Sequence, residues 1–204
     1  MKKSLVLIDF TRRWTNKLAL CVHLTKDSNR TCFVALLKYS TGTYSYVLAS
    51  HGLRPGHFVF STTRPPRFSL KYKIGCNIIL RYLDYRSVFF NLETKVNEGS
   101  KYARSAGTFC KIISMNFDKD LVKIQLPTGI IKIISMYCLV TLGRASNFHH
   151  KKEFFTKAGF YRKLGIRPSV RGVAMNPVDH PHGGRTKTNS PELTPWGKIA
   201  KFNR

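Results

Sequence analysis

Short apolar runs alternate with turn-forming residues through the N-terminal part of the chain. The turns are K-D-S-N-R at 26–30, S-T-G at 40–42 and G-L-R-P-G at 52–56. The runs between them are rich in β-branched and aromatic residues and lie at 5–10, 18–24, 31–39, 44–49 and 57–60. A spacing of about ten residues per turn signal predicts a β-meander that closes into a small barrel or sandwich.

A second set of strands is predicted after a polar, proline-rich break at 61–67, where we place a domain boundary. Apolar runs recur beyond it at 78–83, 87–92, 109–115, 121–126 and 130–136. The small residues of 102–108 would let another backbone or a phosphate come close. Residues 1–66 and 67–145 are therefore expected to form two small β-barrels.

The composition changes after residue 142, and residues 146–204 are expected to form an extended basic C-terminal tail. Helical stretches are expected within 148–164, interrupted at Gly159. Residues 151–204 contain twelve Lys and Arg against three Asp and Glu, and apolar runs are few. Because such a segment buries too little apolar surface to fold alone, we expect it to become ordered against a partner.

The balance of charge indicates the class of that partner. The 204-residue chain carries 35 Lys and Arg against 10 Asp and Glu, a formal net charge of +25. An excess of this size repels itself, and its natural counterion is a polyanion. Nucleic acid is the leading interpretation, ahead of an acidic membrane surface and of a basic surface that has no such partner.

Cysteine usage and hydropathy argue against several other classes. The five cysteines are widely spaced without a C-x-x-C pair, so neither a zinc ribbon nor a disulfide framework is indicated. Their apolar neighbours are typical of buried thiols in a reducing compartment. No apolar run approaches the roughly 20 residues of a membrane span, and the N-terminus has the pattern of neither a signal peptide nor a transit peptide.

Residues 170–184, V-R-G-V-A-M-N-P-V-D-H-P-H-G-G, predict a rigid, irregular loop through which no helix or strand can run. Asp179 beside His180 could serve acid–base chemistry, and His180 with His182 could hold a metal. No third ligand lies nearby, and G-x-S-x-G, H-E-x-x-H and P-loop sequences are all missing. We therefore predict no enzyme activity and histidines that contact RNA. The alternative is an RNA-processing or RNA-modifying enzyme that uses Asp179 and His180.

Other basic residues lie on irregular backbone. Arg104 sits among small residues in A-R-S-A-G-T, which leaves its guanidinium open to phosphate, although it could also be an ordinary solvated arginine. Arg162, Lys163 and Arg167 lie among glycines and aromatic residues, a setting that suits structured RNA. No recognition helix, zinc finger or basic zipper for DNA is visible. Trp196 in P-W-G either stacks on a base or packs on the protein itself.

The sequence R-P-S-V-R-G-V-A-M-N-P-V-D-H-P-H-G-G at 167–184, followed by T-P-W-G-K at 194–198, resembles the universal large-subunit ribosomal protein two family. Shorter motifs match in the same order: I-D-F-T-R-R (8–13), D-S-N-R-T (27–31), G-L-R-P-G (52–56), Y-A-R-S-A-G-T (102–108), L-P-T-G (126–129) and K-A-G (157–159). The resemblance implies an OB-like barrel followed by an SH3-like barrel. It also implies a structural protein that binds large-subunit ribosomal RNA near the peptidyl-transferase centre, beside neighbouring ribosomal proteins.

The expected RNA-binding residues belong to these motifs and to the basic stretches around them. They are Arg12, Arg13, Arg104, Ser105, Arg162, Lys163, Arg167, Arg171, Asn176, His180, His182, Gly183, Gly184, Arg185, Trp196 and Lys198. No cofactor is expected beyond Mg²⁺ associated with the ribosomal RNA. In this family RNA is the catalyst of peptide-bond formation, so His180 is expected to shape the loop or to contact RNA.

Three departures from the family pattern carry further expectations. The basic arm that usually precedes the position of Ile8 is expected to be missing or to be supplied by another chain or gene piece. Arg185, Thr186 and Lys187 stand where the family loop continues with glycine and an acid. An excess of Ile, Phe, Tyr, Lys and Asn is typical of an AT-rich genome. With no transit peptide, it suggests a protein encoded in a mitochondrion, with a plastid as the alternative.

Overall fold

The computed structural model describes residues 6–12, 16–63, 73–152, 157–163, 165–184 and 191–200. Within these residues the chain has twelve strands and one short α-helix, which confirms the predicted mainly β class. The chain divides into two compact units, residues 1–153 and 154–204. All twelve of these strands lie in the first unit.

Four antiparallel strands follow the N-terminal turn signals and form the OB-like barrel. They are β1 (Lys17–Lys26), β2 (Phe33–Tyr39), β3 (Tyr44–Leu48) and β4 (Phe58–Ser61). Strand β1 is central, because it pairs with β2 along one edge and with β4 along the other. A shift of register between Cys21 and His23 marks a bulge, a feature that bends a strand. The barrel encloses a core that includes Leu37 and Val59.

Eight further strands form the SH3-like region, six of them in the main sheet and two, at 92–93 and 100–102, as a separate antiparallel pair. They are β5 (Asn77–Ile79), β6 (Val88–Phe90), β7 (Leu92–Glu93), β8 (Ser100–Tyr102), β9 (Cys110–Asn116), β10 (Leu121–Gln125), β11 (Ile131–Ser135) and β12 (Leu139–Leu142). Strands β9, β10 and β11 form an antiparallel meander, which continues through β6 and β12 to β5. Ile78, Phe89 and Val122 are fully buried in its core.

One pair of residues joins the two barrels into a continuous sheet. Ser61 at the end of β4 pairs in parallel orientation with Asn77 at the start of β5. A separate apolar cluster, which includes Val34 of β2 and Phe90 of β6, packs residues of both barrels together. Residues 64–67 of the predicted break lie outside the described residues, so the division into 1–66, 67–145 and 146–204 stays a prediction.

All five cysteines are buried and free, as their apolar neighbours in the sequence predict. Cys21 lies in the first barrel core and Cys32 in the cluster that both barrels share. The remaining three, Cys76, Cys110 and Cys138, lie in the second barrel core. Burial raises the pKa of the Cys110 thiol to about 12 and is the main cause that raises the pKa of the Cys138 thiol to about 11.

The apolar run at 5–10 does not form the strand that its composition predicts. Within its described residues, Ile8 makes an isolated bridge to Tyr46, and the chain then turns at Asp9. The Asp9 carboxylate accepts the N–H of Thr11 at 3.0 Å, which replaces a strand ladder with a local turn.

Other differences concern short elements. The run at 78–83 is a strand only to Ile79 and continues as a 3₁₀ turn at Leu80–Tyr82. Further 3₁₀ turns lie at Phe148–Lys152 and Gly172–Ala174. Helix α1 (Ala158–Lys163) runs through Gly159, so the predicted interruption there is wrong; one glycine in a helix costs only about 1 kcal/mol. None of the described helices is long and apolar enough to cross a membrane.

Candidate nucleic-acid interface

Two arginines from different turns lie over one phenyl ring. The guanidinium carbons of Arg104 and Arg30 are 4.7 and 4.9 Å from the centroid of the Phe10 ring. Contacts of this kind contribute roughly 0.5–2 kcal/mol and hold a guanidinium plane in position. We call these three residues the Phe10 clamp. The sequence predicts Arg104 as a site residue but not Arg30.

Local turns fix both arginines of the Phe10 clamp. Asp27 accepts the N–H of Asn29 at 3.0 Å, and its other carboxylate oxygen lies 3.5 Å from Arg30 Nε. Arg104 Nη1 donates to the carbonyl of Ser100 at 3.3 Å. Each guanidinium therefore keeps further N–H groups that can bind an anion.

The Phe10 clamp carries excess positive charge. Burial, and then the charge of Arg30, lower the pKa of the Arg104 guanidinium. Among the described residues, Asp27 is the carboxylate within ion-pair distance of the clamp. A phosphate would relieve the repulsion between the two guanidinium groups and could accept paired hydrogen bonds from them.

Arg12 is an interior residue, although the sequence predicts it as an RNA contact. It is 2% exposed, and its Nη2 and Nε donate to Ser61 Oγ at 3.0 and 3.3 Å. Burial lowers the pKa of its guanidinium, while Tyr39 and Asp9 act in the opposite sense. The side chain thus holds the N-terminal segment against the end of β4 and cannot reach RNA from there. Arg13 lies outside the described residues.

The small residues at 102–108 accommodate this chain's own backbone. Gly107 has a φ of +67°, and a Cβ there would lie 3.2 Å from the Cα of Phe148. Ser105 is exposed, and its carbonyl accepts the Thr108 hydroxyl at 2.7 Å. The predicted close approach is therefore internal at Gly107, while Ser105 stays on the surface next to Arg104.

Backbone hydrogen bonds build the loop at 170–184, which we call the histidine loop. The carbonyl of Asn176 accepts the N–H of His180 at 3.2 Å, and the carbonyl of Met175 accepts the N–H of Gly184 at 3.2 Å. The prediction of an irregular loop is confirmed, apart from its single 3₁₀ turn.

Three glycines shape the histidine loop for two different reasons. A Cβ on Gly172 would lie 2.5–2.7 Å from ring atoms of His180, and a Cβ on Gly183 would collide with the carbonyl of Asn176. Gly184 has a φ of +76°, which favours glycine. A pair of glycines in an irregular loop can supply backbone angles that other residues rarely adopt at both positions. Only Gly184 has one, and Gly183 is needed for space.

His180 is the one buried residue in the described part of the second unit, at 8% exposure. Its Nδ1 accepts the N–H of His182 at 3.0 Å, and His182 Nε2 accepts the N–H of Leu193 at 2.9 Å. The two ring centroids are 4.8 Å apart. An imidazole nitrogen accepts only when it carries no proton, so this bonding places the proton of neutral His180 on Nε2 and that of neutral His182 on Nδ1.

The catalytic alternative lacks supporting geometry. Among the described residues, no hydrogen bond joins the Asp179 carboxylate to His180, whose Nδ1 already accepts a backbone N–H. In the same part of the chain, no three His, Cys, Asp or Glu side chains are grouped to hold a metal ion.

The predicted cations of the second unit are exposed wherever they are described. Arg162 and Lys163 lie in the last turn of α1, and Arg167, Arg171 and Lys198 lie on irregular backbone. Asn176, in the histidine loop, is also exposed, whereas Arg185 lies outside the described residues.

The T-P-W-G-K stretch forms a tight turn. Thr194 N–H donates to the Lys198 carbonyl at 2.7 Å, and Gly197 N–H donates to the Thr194 carbonyl at 2.9 Å. Trp196, inside this turn, is 84% exposed, which leaves its ring available for stacking on a base.

Comparison with known proteins gives matches over most of the chain. A family model for Ribosomal Proteins L2, RNA binding N-terminal domain, matches residues 1–61, and one for Ribosomal Proteins L2, C-terminal domain, matches residues 73–197. The relatives include Large ribosomal subunit protein uL2 of Orientia tsutsugamushi, 38% identical over 96% of this chain and 70% of the relative. The protein of the same name from Rickettsia canadensis is 40% identical over 96% of this chain and 70% of its own length. That of Paracoccus denitrificans is 37% identical over 100% of this chain and 71% of its own length.

Proposed function

Because this chain belongs to the Ribosomal Proteins L2 family, we propose that it is a structural, RNA-binding constituent of the large ribosomal subunit. It supports the assembly of that subunit and translation by it. As the family resemblance implies, the histidine loop lies in folded RNA near the peptidyl-transferase centre.

The strongest support is the way the histidine loop is built. Its backbone is fixed around His180, yet its apolar side chains Val170 and Val178 are 61% and 90% exposed. A rigid loop that buries almost nothing of its own, in a chain of net charge +25, is suited to a polyanion with grooves and stacked bases.

The Phe10 clamp supports a second contact, with the phosphate backbone. Its two guanidinium groups converge from different turns, so the clamp exists before RNA arrives and loses little side-chain entropy on binding. Exposed Ser105, next to Arg104, can donate its hydroxyl to the same phosphate.

The predicted site residues therefore divide by role. The exposed cations contact phosphates: Arg162, Lys163, Arg167, Arg171 and Lys198. The half-buried Arg104 contacts phosphate as well, together with the half-buried Arg30, which the sequence does not predict. Trp196 stacks on a base, and Asn176 and Ser105 add polar contacts. His180, His182, Gly183 and Gly184 give the loop its shape, and Arg12 is left out of the RNA contacts because it is buried.

The ribosome is the location of this protein, and a mitochondrial ribosome is the more specific proposal. It rests on the AT-rich pattern of residue usage, and a plastid is the alternative. Neighbouring ribosomal proteins are further partners.

Binding of the purified chain to large-subunit ribosomal RNA from its own ribosome tests the proposal. We expect tighter binding to this RNA than to an unrelated structured RNA of equal length, in a gel-shift titration at several salt concentrations. Arg104→Ala and Arg30→Ala should each weaken binding about tenfold and reduce the slope of log K against log salt by about one.

Arg86→Ala is the matched control. Arg86 is an exposed arginine of the second barrel and does not belong to the Phe10 clamp. This variant should bind within about twofold of the wild type. Equal affinity of the wild type for both RNAs would overturn the proposed function.

A further inference from the structure

A second guanidinium lies close to two aromatic rings, neither of which belongs to the Phe10 clamp. The guanidinium carbon of Arg144 lies 4.6 Å from the centroid of the Phe109 ring and 5.7 Å from that of Phe148. His51 adjoins Phe148, with ring centroids 6.2 Å apart. We call these four residues the Arg144 shelf. All of them lie in the first compact unit.

The backbone under the Arg144 shelf is locked from three segments. The N–H of Gly107 donates to the carbonyls of Ala145 and Ser146 at 3.2 and 3.1 Å, and the N–H of Ala145 donates to Thr108 at 3.1 Å. The N–H of His51 donates to the carbonyl of Arg144 at 2.7 Å. The rings and the guanidinium are therefore set in place by the fold.

Asn147 sets the position of the exposed ring. It has a φ of +59°, and its side-chain amide donates to the carbonyl of Thr31 at 2.7 Å. The next residue, Phe148, is 38% exposed. One aromatic surface is thus presented to solvent beside a fixed guanidinium.

The shelf has positive charge without a neutralising acid. Among the described residues, no carboxylate or carbonyl accepts a hydrogen bond from the Arg144 guanidinium. Lys111 Nζ also lies 5.7 Å from the Phe109 ring centroid. The shelf segments at 49–52, 107–111 and 142–150 contain no Asp or Glu. The N–H edge of Arg144 is therefore available to an anion.

Two cavities border these residues. One, of about 300 Å³, is lined by residues that include Phe109 and Lys111. The other, of about 320 Å³, is lined by residues that include His51, Gly143 and Arg144. Both are open, shallow depressions beside the shelf.

We propose that the Arg144 shelf binds one unstacked nucleotide of a single-stranded RNA segment. This inference rests on the proposed RNA-binding function and adds a site with its own specificity. Arg144 donates to the phosphate, and the base stacks on the exposed ring of Phe148. A duplex keeps its bases stacked on one another and cannot offer one to Phe148, so the shelf distinguishes single strands from duplexes.

The test uses the full chain and two probes: an oligoadenylate of about 12 nucleotides and an RNA duplex of the same length. Binding is measured by fluorescence anisotropy for the wild type, Arg144→Lys, Phe148→Ala and Phe148→Tyr. Arg144→Lys keeps the charge but loses the planar fork. We expect it and Phe148→Ala to weaken oligoadenylate binding by about 5- to 100-fold. Duplex binding should stay within about twofold, and Phe148→Tyr should bind like the wild type because its ring still stacks.

Arg86→Lys is the matched control, and melting curves establish that each variant is folded. Unchanged oligoadenylate binding by Arg144→Lys and Phe148→Ala would overturn the shelf while leaving ribosomal RNA binding intact. Equal losses on the duplex would also overturn it, because they indicate general charge attraction. If the wild type binds neither its ribosomal RNA nor oligoadenylate, the proposed function and the shelf both fail.

Discussion

The two compact units of this chain hold their shapes in different ways. The first unit contains both β-barrels, which together we call the double barrel. It encloses side chains such as Leu37, Phe89 and Val122, each at 0% exposure. The described part of the second unit has one buried residue, His180, and its histidine loop is fixed by backbone hydrogen bonds and by close contacts of Gly172 and Gly183. One unit therefore depends on apolar burial and the other on local geometry.

The magnitudes show why this difference matters for function. Burying a side chain such as Phe89 stabilises a fold by about 1.5–3 kcal/mol. A backbone hydrogen bond contributes only about 0.5–1.5 kcal/mol net, whereas ordering one residue costs about 1–2 kcal/mol. The hydrogen bonds of the histidine loop alone do not offset the conformational entropy that its residues lose when they become ordered. We infer that RNA supplies the missing stabilisation of the second unit.

The largest effect is expected from removing apolar volume in the double barrel. Phe89→Ala should lower the free energy of unfolding of the purified chain by about 3–5 kcal/mol in urea denaturation, because it leaves a cavity. Val178→Ala is the matched truncation in the histidine loop, where the side chain is 90% exposed. It should change that free energy by less than about 0.5 kcal/mol. A comparable loss in both variants would contradict the difference between the units.

Gly183→Val should act on the histidine loop without affecting the barrels. The added side chain collides with the carbonyl of Asn176, and overpacking of this kind costs about 1–3 kcal/mol. Because the collision is with backbone atoms, the cost lies in the upper part of this range. We therefore expect incorporation into large subunits, measured by immunoblot across a sucrose gradient, to fall at least about tenfold. The urea midpoint of the free chain should not change.

His182→Ala is the comparison variant for Gly183→Val. It removes one acceptor for the N–H of Leu193, a loss of about 1 kcal/mol, so incorporation should fall only about fivefold. Equal incorporation of the two variants would show that the space at Gly183 is not what shapes the loop.

The smallest effect concerns Glu93, which is buried in the second barrel at 1% exposure. Burial raises its pKa above the ordinary 4.5, although N–H groups including that of Leu139 act against the rise. The native state therefore holds more protons than the unfolded state just above pH 4.5, and stability falls as the pH rises through this range. Glu93→Gln has no such proton to lose. Its melting temperature should rise relative to the wild type between about pH 4 and about pH 7.

Glu98→Gln is the control of opposite sign. The hydrogen bond between Glu98 and Lys101 is the main cause that lowers the pKa of the Glu98 carboxyl. The ionised carboxylate therefore stabilises the fold above its ordinary pKa, and this stabilisation is lost as the pH falls. Relative to the wild type, this variant should lose stability as the pH rises. A change of the same sign in both variants would contradict the assignment of Glu93 as a buried, raised carboxyl.

Strand prediction from the sequence succeeds where one face of a strand is buried. Strand β10 alternates exposed and buried residues, and the sequence locates it to within one residue. Strand β12 is buried along its whole length and has no such alternation, which explains why the sequence does not predict it.

The residues of the candidate site also differ in whether the local sequence predicts them. The histidine loop is local in sequence, so its irregular backbone can be predicted from its own prolines and glycines. Arg12 and Arg30 cannot be assigned in this way. The burial of Arg12 depends on Ser61, 49 residues away, and the position of Arg30 over Phe10 depends on how the first barrel closes.

Chemical modification of the buried cysteines can report on the transient opening of each part of the double barrel. Burial raises the pKa of the Cys110 thiol to about 12, so the thiol stays protonated at neutral pH, and no solvent reaches it in the closed fold. Alkylating reagents can therefore modify it only during transient opening. Cys21 reports on the first barrel, Cys110 and Cys138 on the second, and Cys32 on the cluster between them. The rates at which these thiols are modified rank the local opening energies of the native chain.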